Sequence, residues 1–174
     1  MITLGVTGHR LGPRLGGFDL RTRRALGALA VEHLREIRPK RVITGMAIGW
    51  DQAVAGACVA LDIPFVAAVP FPGQATRWPP ETQARYRRLL ESAESINYTC
   101  RSEQTLSARQ VTDFMRYRNQ WVVDNSDQIA ALFDGSAGSG TALTVHYAQM
   151  KGKPIENLWS RWLGGFDPVD AVLG

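Results

Sequence analysis

Apolar positions along the chain switch between two periods. Short apolar runs recur, and between them lie longer stretches in which apolar residues return every three or four positions. The first kind reads as buried strand, the second as amphipathic helix. The runs are Ile2–Thr7, Arg41–Thr44, Pro64–Val69, Ser95–Thr99, Gln128–Phe133 and Pro154–Leu158. The helical stretches run from Asp19 to about Ile37, Gln52 to Leu61, Glu81 to Ala93, about Ala108 to Asn125, and Thr141 to Met150. In the first, Leu26, Leu29, Ala30, His33, Leu34 and Ile37 share one face, Asp19 is the predicted N-cap, and Pro39 ends the helix. Asp51 is the predicted N-cap of the second helix, whose alanines and glycine allow close approach to a sheet. Gly152 is the predicted C-cap of the last.

Strands alternating with helices predict an α/β protein: a Rossmann-like, doubly wound, mainly parallel sheet of about six strands with helices on both faces. The 174 residues fit one domain, 1–174, long enough to bury a core without disulfide or metal staples. The tail, about 160–174, carries Trp162, Leu163, Phe166, Val169 and Leu173 and is expected to dock on the body or on a partner subunit. No apolar run approaches the roughly 18 residues of a membrane span. Met1-Ile2-Thr3-Leu4 enters the first strand without a basic flank. A cytoplasmic protein with no membrane partner is therefore expected. Cys58 and Cys100 form no CxxC and join no His/Cys cluster of zinc spacing, so they read as reduced thiols. No metal and no cofactor are expected.

The net charge is +4, and lysine occurs only at Lys40, Lys151 and Lys153, so arginine carries most of the positive charge. Arginine suits bidentate phosphate contacts. Arg21, Arg23, Arg24, Arg35, Arg38 and Arg41 lie on or beside the first helix and equally fit its solvated face. Charge leaves nucleic-acid binding open without establishing it.

In doubly wound folds, ligands bind outside the carboxyl ends of the strands. That rule selects the turns. Gly138-Ser139-Gly140-Thr141 lies between a strand and a helix. Its glycines allow close backbone approach, the helix start offers unpaired amides, and Thr141 adds a hydroxyl, which together suit a phosphate. The turn after the second strand has similar logic: Gly45 and Gly49 flank Met46-Ala47-Ile48, then Trp50 and Asp51 follow. Asp51 is an N-cap, a receiver of ribose hydroxyls or an acid/base. Trp50 is a stacking surface for a base or a packing residue. In Gly8-His9-Arg10, His9 is a ligand contact, a general acid or a structural hydrogen-bonding group, and Arg10 is a phosphate contact. Phe71, Gln74, Arg77 and Trp78 lie in a long loop that forms a lid over a base or simply packs. Arg116 and Arg118, two apart, do not share a helix face. Arg118 is the one expected at the site.

Thr7–Arg10, Gly45–Asp51, Pro70–Gln74 with Trp78, Arg118-Asn119 with Ser126-Asp127, and Gly138–Thr141 together resemble the SLOG superfamily. More narrowly they are similar to its YspA/YpsA-like branch of bacterial and phage proteins. The resemblance spans roughly Ile2 to Leu158. It implies a Rossmann-like fold that binds a nucleotide or sugar phosphate at the strand rim, often as a homodimer. The superfamily includes lonely-guy phosphoribohydrolases, DprA-type single-strand DNA binders and sensors of nucleotide signals. The lonely-guy enzymes carry a glutamate where Thr144 stands here, and the motif glutamate of nucleoside deoxyribosyltransferases falls on the same position. A hydroxyl does not replace that carboxylate without an activating base. Any chemistry then falls to Asp51 or Asp134.

Three functions follow in order. The first is a sensor or binding module for a small nucleotide-derived ligand. The second is an N-glycoside hydrolase or transferase on nucleoside monophosphates. The third is DprA-like binding of single-stranded DNA.

Overall fold

The computed structural model describes residues 1–165, and each of the six apolar runs forms a strand in it. The elements alternate: β1 (Thr3–Gly8), α1 (Leu20–Ile37), β2 (Arg41–Thr44), α2 (Trp50–Leu61), β3 (Phe65–Val69), α3 (Pro80–Ser92), β4 (Ser95–Tyr98), α4 (Ala108–Asp124), β5 (Gln128–Leu132), α5 (Gly140–Met150), β6 (Ile155–Asn157) and α6 (Trp159–Leu163). All strand pairs are parallel, in the order β4-β3-β2-β1-β5-β6. The order runs one way from β1 to β4, then jumps back to β5. Right-handed crossovers therefore put α1, α2 and α3 on one face and α4 and α5 on the other. The helix contacts agree: α2 touches α1 and α3, and α4 touches α5. The chain has the Rossmann-like architecture.

The packing explains the composition of the elements. β1, buried on both faces, holds Leu4 and Val6 in the core with Ala130 and Leu132 of the adjacent β5. A strand covered on both sides reads as a continuous apolar run. α2 lies between two helices and on the sheet, so Ala53, Val54, Ala55, Ala57 and Cys58 are all buried. Burial pushes the Cys58 thiol up to about 12, which leaves it protonated and inert. α1 opens as the sequence predicts, with Asp19 accepting from the Thr22 amide at 2.8 Å. α2 opens differently. Its cap is Gly49, so Asp51 sits inside the first turn rather than at the N-cap.

The short α6 continues from β6 and binds back onto α1. Arg161 pairs with Glu32 at 3.0 Å and Glu36 at 2.8 Å, and Trp159 and Trp162 pack against the core. Leu163 is exposed. Phe166, Val169 and Leu173 of the expected docking tail lie outside the described residues. No helix among the described residues is long and apolar enough to cross a membrane.

Candidate functional site

The reversal of strand order between β1 and β5 opens a crevice at the carboxyl rim, the usual ligand position in such sheets. A cleft of about 850 Å3 lies there, walled by the loop after β1, by α4 and by the start of α5. Of the residues expected at the site, Gly8, His9, Arg10, Ala47, Asp51, Arg118, Ser139, Gly140 and Thr141 line it.

The α5 end of the cleft is open. Ser139 caps the helix, its hydroxyl accepting from the Ala142 amide at 3.0 Å. The amides of Gly140 and Thr141 have no partner among the described residues. Cβ atoms built on Gly138 or Gly140 would meet nothing within 4 Å, and Gly138 adopts a left-handed φ of 82°. Two free amides at a positive helix end, with no side chain over them, are suited to an anion. Thr144 lines the cleft one turn on, but its hydroxyl donates to the Gly140 carbonyl at 2.8 Å. Its proton is therefore committed within the helix.

The Gly45–Gly49 turn is built for packing. A Cβ on Gly49 would come within 2.6 Å of the Leu11 backbone nitrogen, at φ 125°. One on Gly45 would meet Arg118 at 2.5 Å, and one on Gly8 would meet Trp50 at 2.5 Å. Met46 and Trp50 are fully buried, and the Trp50 indole points at the Ala130 carbonyl, 3.5 Å away. Of this turn only Ala47 lines the cleft, and Trp50 does not. Trp50 is a core residue, and the stacking role fails because the ring is enclosed.

The cleft floor carries two buried charged residues, Arg118 and Asp51. Arg118 is 4% exposed; it donates to the carbonyls of Gly45 and, at 3.2 Å, Ala68, and to Asn119 at 2.8 Å. It joins the ends of β2 and β3 rather than reaching freely for a phosphate. Asp51 is 7% exposed, and one oxygen accepts from the Ala47 amide at 3.3 Å. Its other oxygen, Oδ1, is buried with no partner. Burial pushes its pKa up to about 6, although Arg118, the Ala47 amide and Arg10 favour the charged form. An orphan carboxylate oxygen in a cleft is an acceptor waiting for a donor.

Asp134 has the opposite environment. Its Oδ1 accepts from the Ser136 hydroxyl at 2.6 Å and amide at 2.9 Å, and lies 2.8 Å from His9 Nε2. These hydrogen bonds, those from Ser136 foremost, hold its carboxyl well below the usual range. The Asp134 amide donates to Nε2 at 3.0 Å. His9 itself is packed against Phe133 and Trp159. Arg14, which the sequence reading missed, reaches across the cleft mouth to the Ser136 hydroxyl and stands 3.6 Å from Asp134. Nothing in its Gly/Pro-rich loop marked it; only the fold brings it beside the β5–α5 turn. The outer wall was missed too: Met115, Leu143 and Tyr147 line it, and Arg10 donates to the Met115 sulfur at 3.4 Å.

The expected lid lies elsewhere. The buried Gln74 donates to the Gly45 carbonyl at 3.3 Å and accepts from the Tyr86 hydroxyl at 3.1 Å. Trp78 stands edge-on to Tyr86, and neither these residues nor Phe71 lines the cleft. The loop is fastened to the β2 end and packs. Among the described residues, no three His, Cys, Asp or Glu side chains are grouped to hold a metal ion.

Comparison with known proteins agrees with this architecture. The model of the YspA SLOG family matches residues 28–160. The chain belongs to the YspA SLOG family. An uncharacterised SPbeta prophage-derived protein of Bacillus subtilis, YoqJ, is 32% identical over 141 residues, covering 75% of this chain and 81% of that protein. Two solved structures of DNA processing protein A share the fold. The Streptococcus pneumoniae protein superposes with a TM-score of 0.63 at 13% identity, over 88% of this chain and 48% of its own. The Helicobacter pylori protein, described with a single-stranded DNA binding mode, gives 0.60 at 15% identity, over 99% and 71%. The chain thus spans about half the length of the S. pneumoniae structure. At such identities the likeness concerns the fold.

Proposed function

We propose that the rim cleft binds a nucleotide or nucleotide-derived sugar phosphate, as a sensor or binding module. One observation carries this reading: a single cleft is lined by Gly140 and Thr141, whose amides have no partner, and by Asp51, whose buried Oδ1 has none. Amides at a helix start take an anion, and a buried carboxylate oxygen takes a hydroxyl or N–H donor. A sugar phosphate carries both kinds of group. The SLOG membership supports the same reading. Calorimetry with AMP, ADP-ribose and cyclic nucleotides tests it. Binding by at least one, weakened about tenfold in Asp51→Asn, which corresponds to about 1.4 kcal/mol, is expected. Heatless titrations across the panel would overturn it.

A second reading, N-glycosidic cleavage of a nucleoside monophosphate, draws on the contrast between the carboxyls. Asp51 at about 6 keeps an acid fraction near neutrality, while Asp134 stays ionised. Carboxyls whose environments separate them this way suit divided acid and base roles. Free base released from AMP, CMP or dTMP, faster at pH 6 than at pH 8 and abolished in Asp51→Asn, is the expected signature. A homodimer belongs to the first reading: Leu143 and Met150, 62% and 72% exposed, stand at the outer end of the cleft. Light scattering at twice the chain mass is its expected readout.

A further inference from the structure

On the face of the sheet that carries α1, α2 and α3, arginines from the outer two helices converge over the middle one. Arg23 of α1 and Arg85 of α3 line one recess of about 20 Å3 with Gln52 and Ala53 of α2. The Arg85 guanidinium lies across Gly56, where a Cβ would stand 3.3 Å from its terminal nitrogen. A glycine inside a helix, despite its poor helix propensity, makes room for that cation. Arg88 adds a third guanidinium one turn along α3.

None of these three has a carboxylate within ion-pair distance among the described residues, whereas Arg14, Arg41, Arg109, Arg116 and Arg161 each do. Desolvation, then repulsion from Arg23 and Arg88, lowers the Arg85 pKa. Like charges gathered without a counter-charge repel, and a bound anion removes that penalty. The guanidinium fork suits phosphate oxygens. The charges span two helices and, on α3, two successive turns, so a row of phosphates matches them better than a single one.

We propose that Arg23, Arg85 and Arg88 form a second anion site, outside the cleft, that binds successive phosphates of a polyanion. A single-stranded nucleic acid and an inorganic polyphosphate present the same chemistry there. Leu11 lines both the recess and the cleft, so the two sites meet at the loop after β1.

Fluorescence polarisation with a labelled oligodeoxythymidylate of about 15 nucleotides tests the site. Arg23→Gln/Arg85→Gln should weaken binding about tenfold and flatten the log affinity against log salt slope by about 1.4, at 0.7 per lost phosphate contact. Arg41→Gln/Arg109→Gln removes the same charge from paired positions elsewhere and should change affinity less than twofold. Calorimetry with the mononucleotide panel should be unchanged by either pair, which separates this site from the cleft. Displacement by inorganic polyphosphate at equal phosphate concentration assigns the site to phosphate chains in general, and failure to displace assigns it to the nucleic-acid backbone. No binding of either polyanion at low salt, or equal weakening in the control pair, overturns the proposal.

Discussion

Two glycine turns follow the strands on either side of β1, and they do opposite work. At Gly45–Gly49 the missing side chains let a loop, a buried arginine and a tryptophan close on one another. At Gly138 and Gly140 an added side chain would meet no atom, and Gly140 lines the open cleft. Both turns follow a parallel strand and open a helix. Glycine content therefore identifies a close approach without saying what approaches: in one case the protein itself, in the other a ligand.

Breaking the first turn should have the largest effect. Gly49→Ala combines a strained φ with a backbone clash and should cost about 3 kcal/mol or more. Thermal unfolding would then shift down by about 10 °C. An unchanged midpoint would remove Gly49 from the packing role. Arg118→Met comes next. It removes the hydrogen bonds to the buried Gly45 and Ala68 carbonyls and the cation that favours charged Asp51, and should destabilise by about 3 kcal/mol. Denaturant unfolding at pH 7.5 measures it.

Asp51 gives the comparison a pH axis. Its folded-state pKa, about 6, lies above the 3.8 ordinary for an aspartate. The folded protein then holds more protons than the unfolded chain between those values, so this group's contribution falls as pH rises from 4 to 6. The loss is on the order of 3 kcal/mol at full effect. The stability of Asp51→Asn relative to the wild type should therefore rise across that window and stay constant above it. His33, whose pKa burial lowers, acts with the opposite sign in an overlapping range, since its stabilisation is lost as pH falls. It acts in both proteins, so the difference between their urea midpoints isolates Asp51.

The smallest stability effect belongs to the second turn. Gly140→Ala meets no atom and should change stability by no more than about 0.5 kcal/mol. It should nonetheless weaken an anionic ligand about tenfold, about 1.4 kcal/mol, by standing where the anion approaches the amides. Undiminished affinity would separate the anion from this turn.

Much of the molecule is legible from the chain alone. The strand positions follow from apolar runs, and the α1 cap follows from Asp19, because both are local effects. The rim residues are legible through topology: once the elements alternate, the turns after the strands gather at one edge. His9, Arg10, Asp51 and Gly140 accordingly share a cleft. Trp50, Gln74 and Arg118 were harder to read. Each carries a group that suits a ligand, yet each meets a backbone carbonyl of another element. No short-range pattern announces such a partner.

The sequence by itself determined the alternation of elements, the parallel sheet and the edge at which binding groups collect. The physical reason is that burial periodicity and helix capping act over a few residues. Only the tertiary structure decided which glycines pack and which stand open. It alone left Asp51 Oδ1 unpaired while surrounding Asp134 with donors, and it alone brought Arg14 beside Ser136 and Arg85 over Gly56. Those outcomes depend on contacts between residues far apart in the chain, where desolvation and steric exclusion are set by the neighbours that folding supplies.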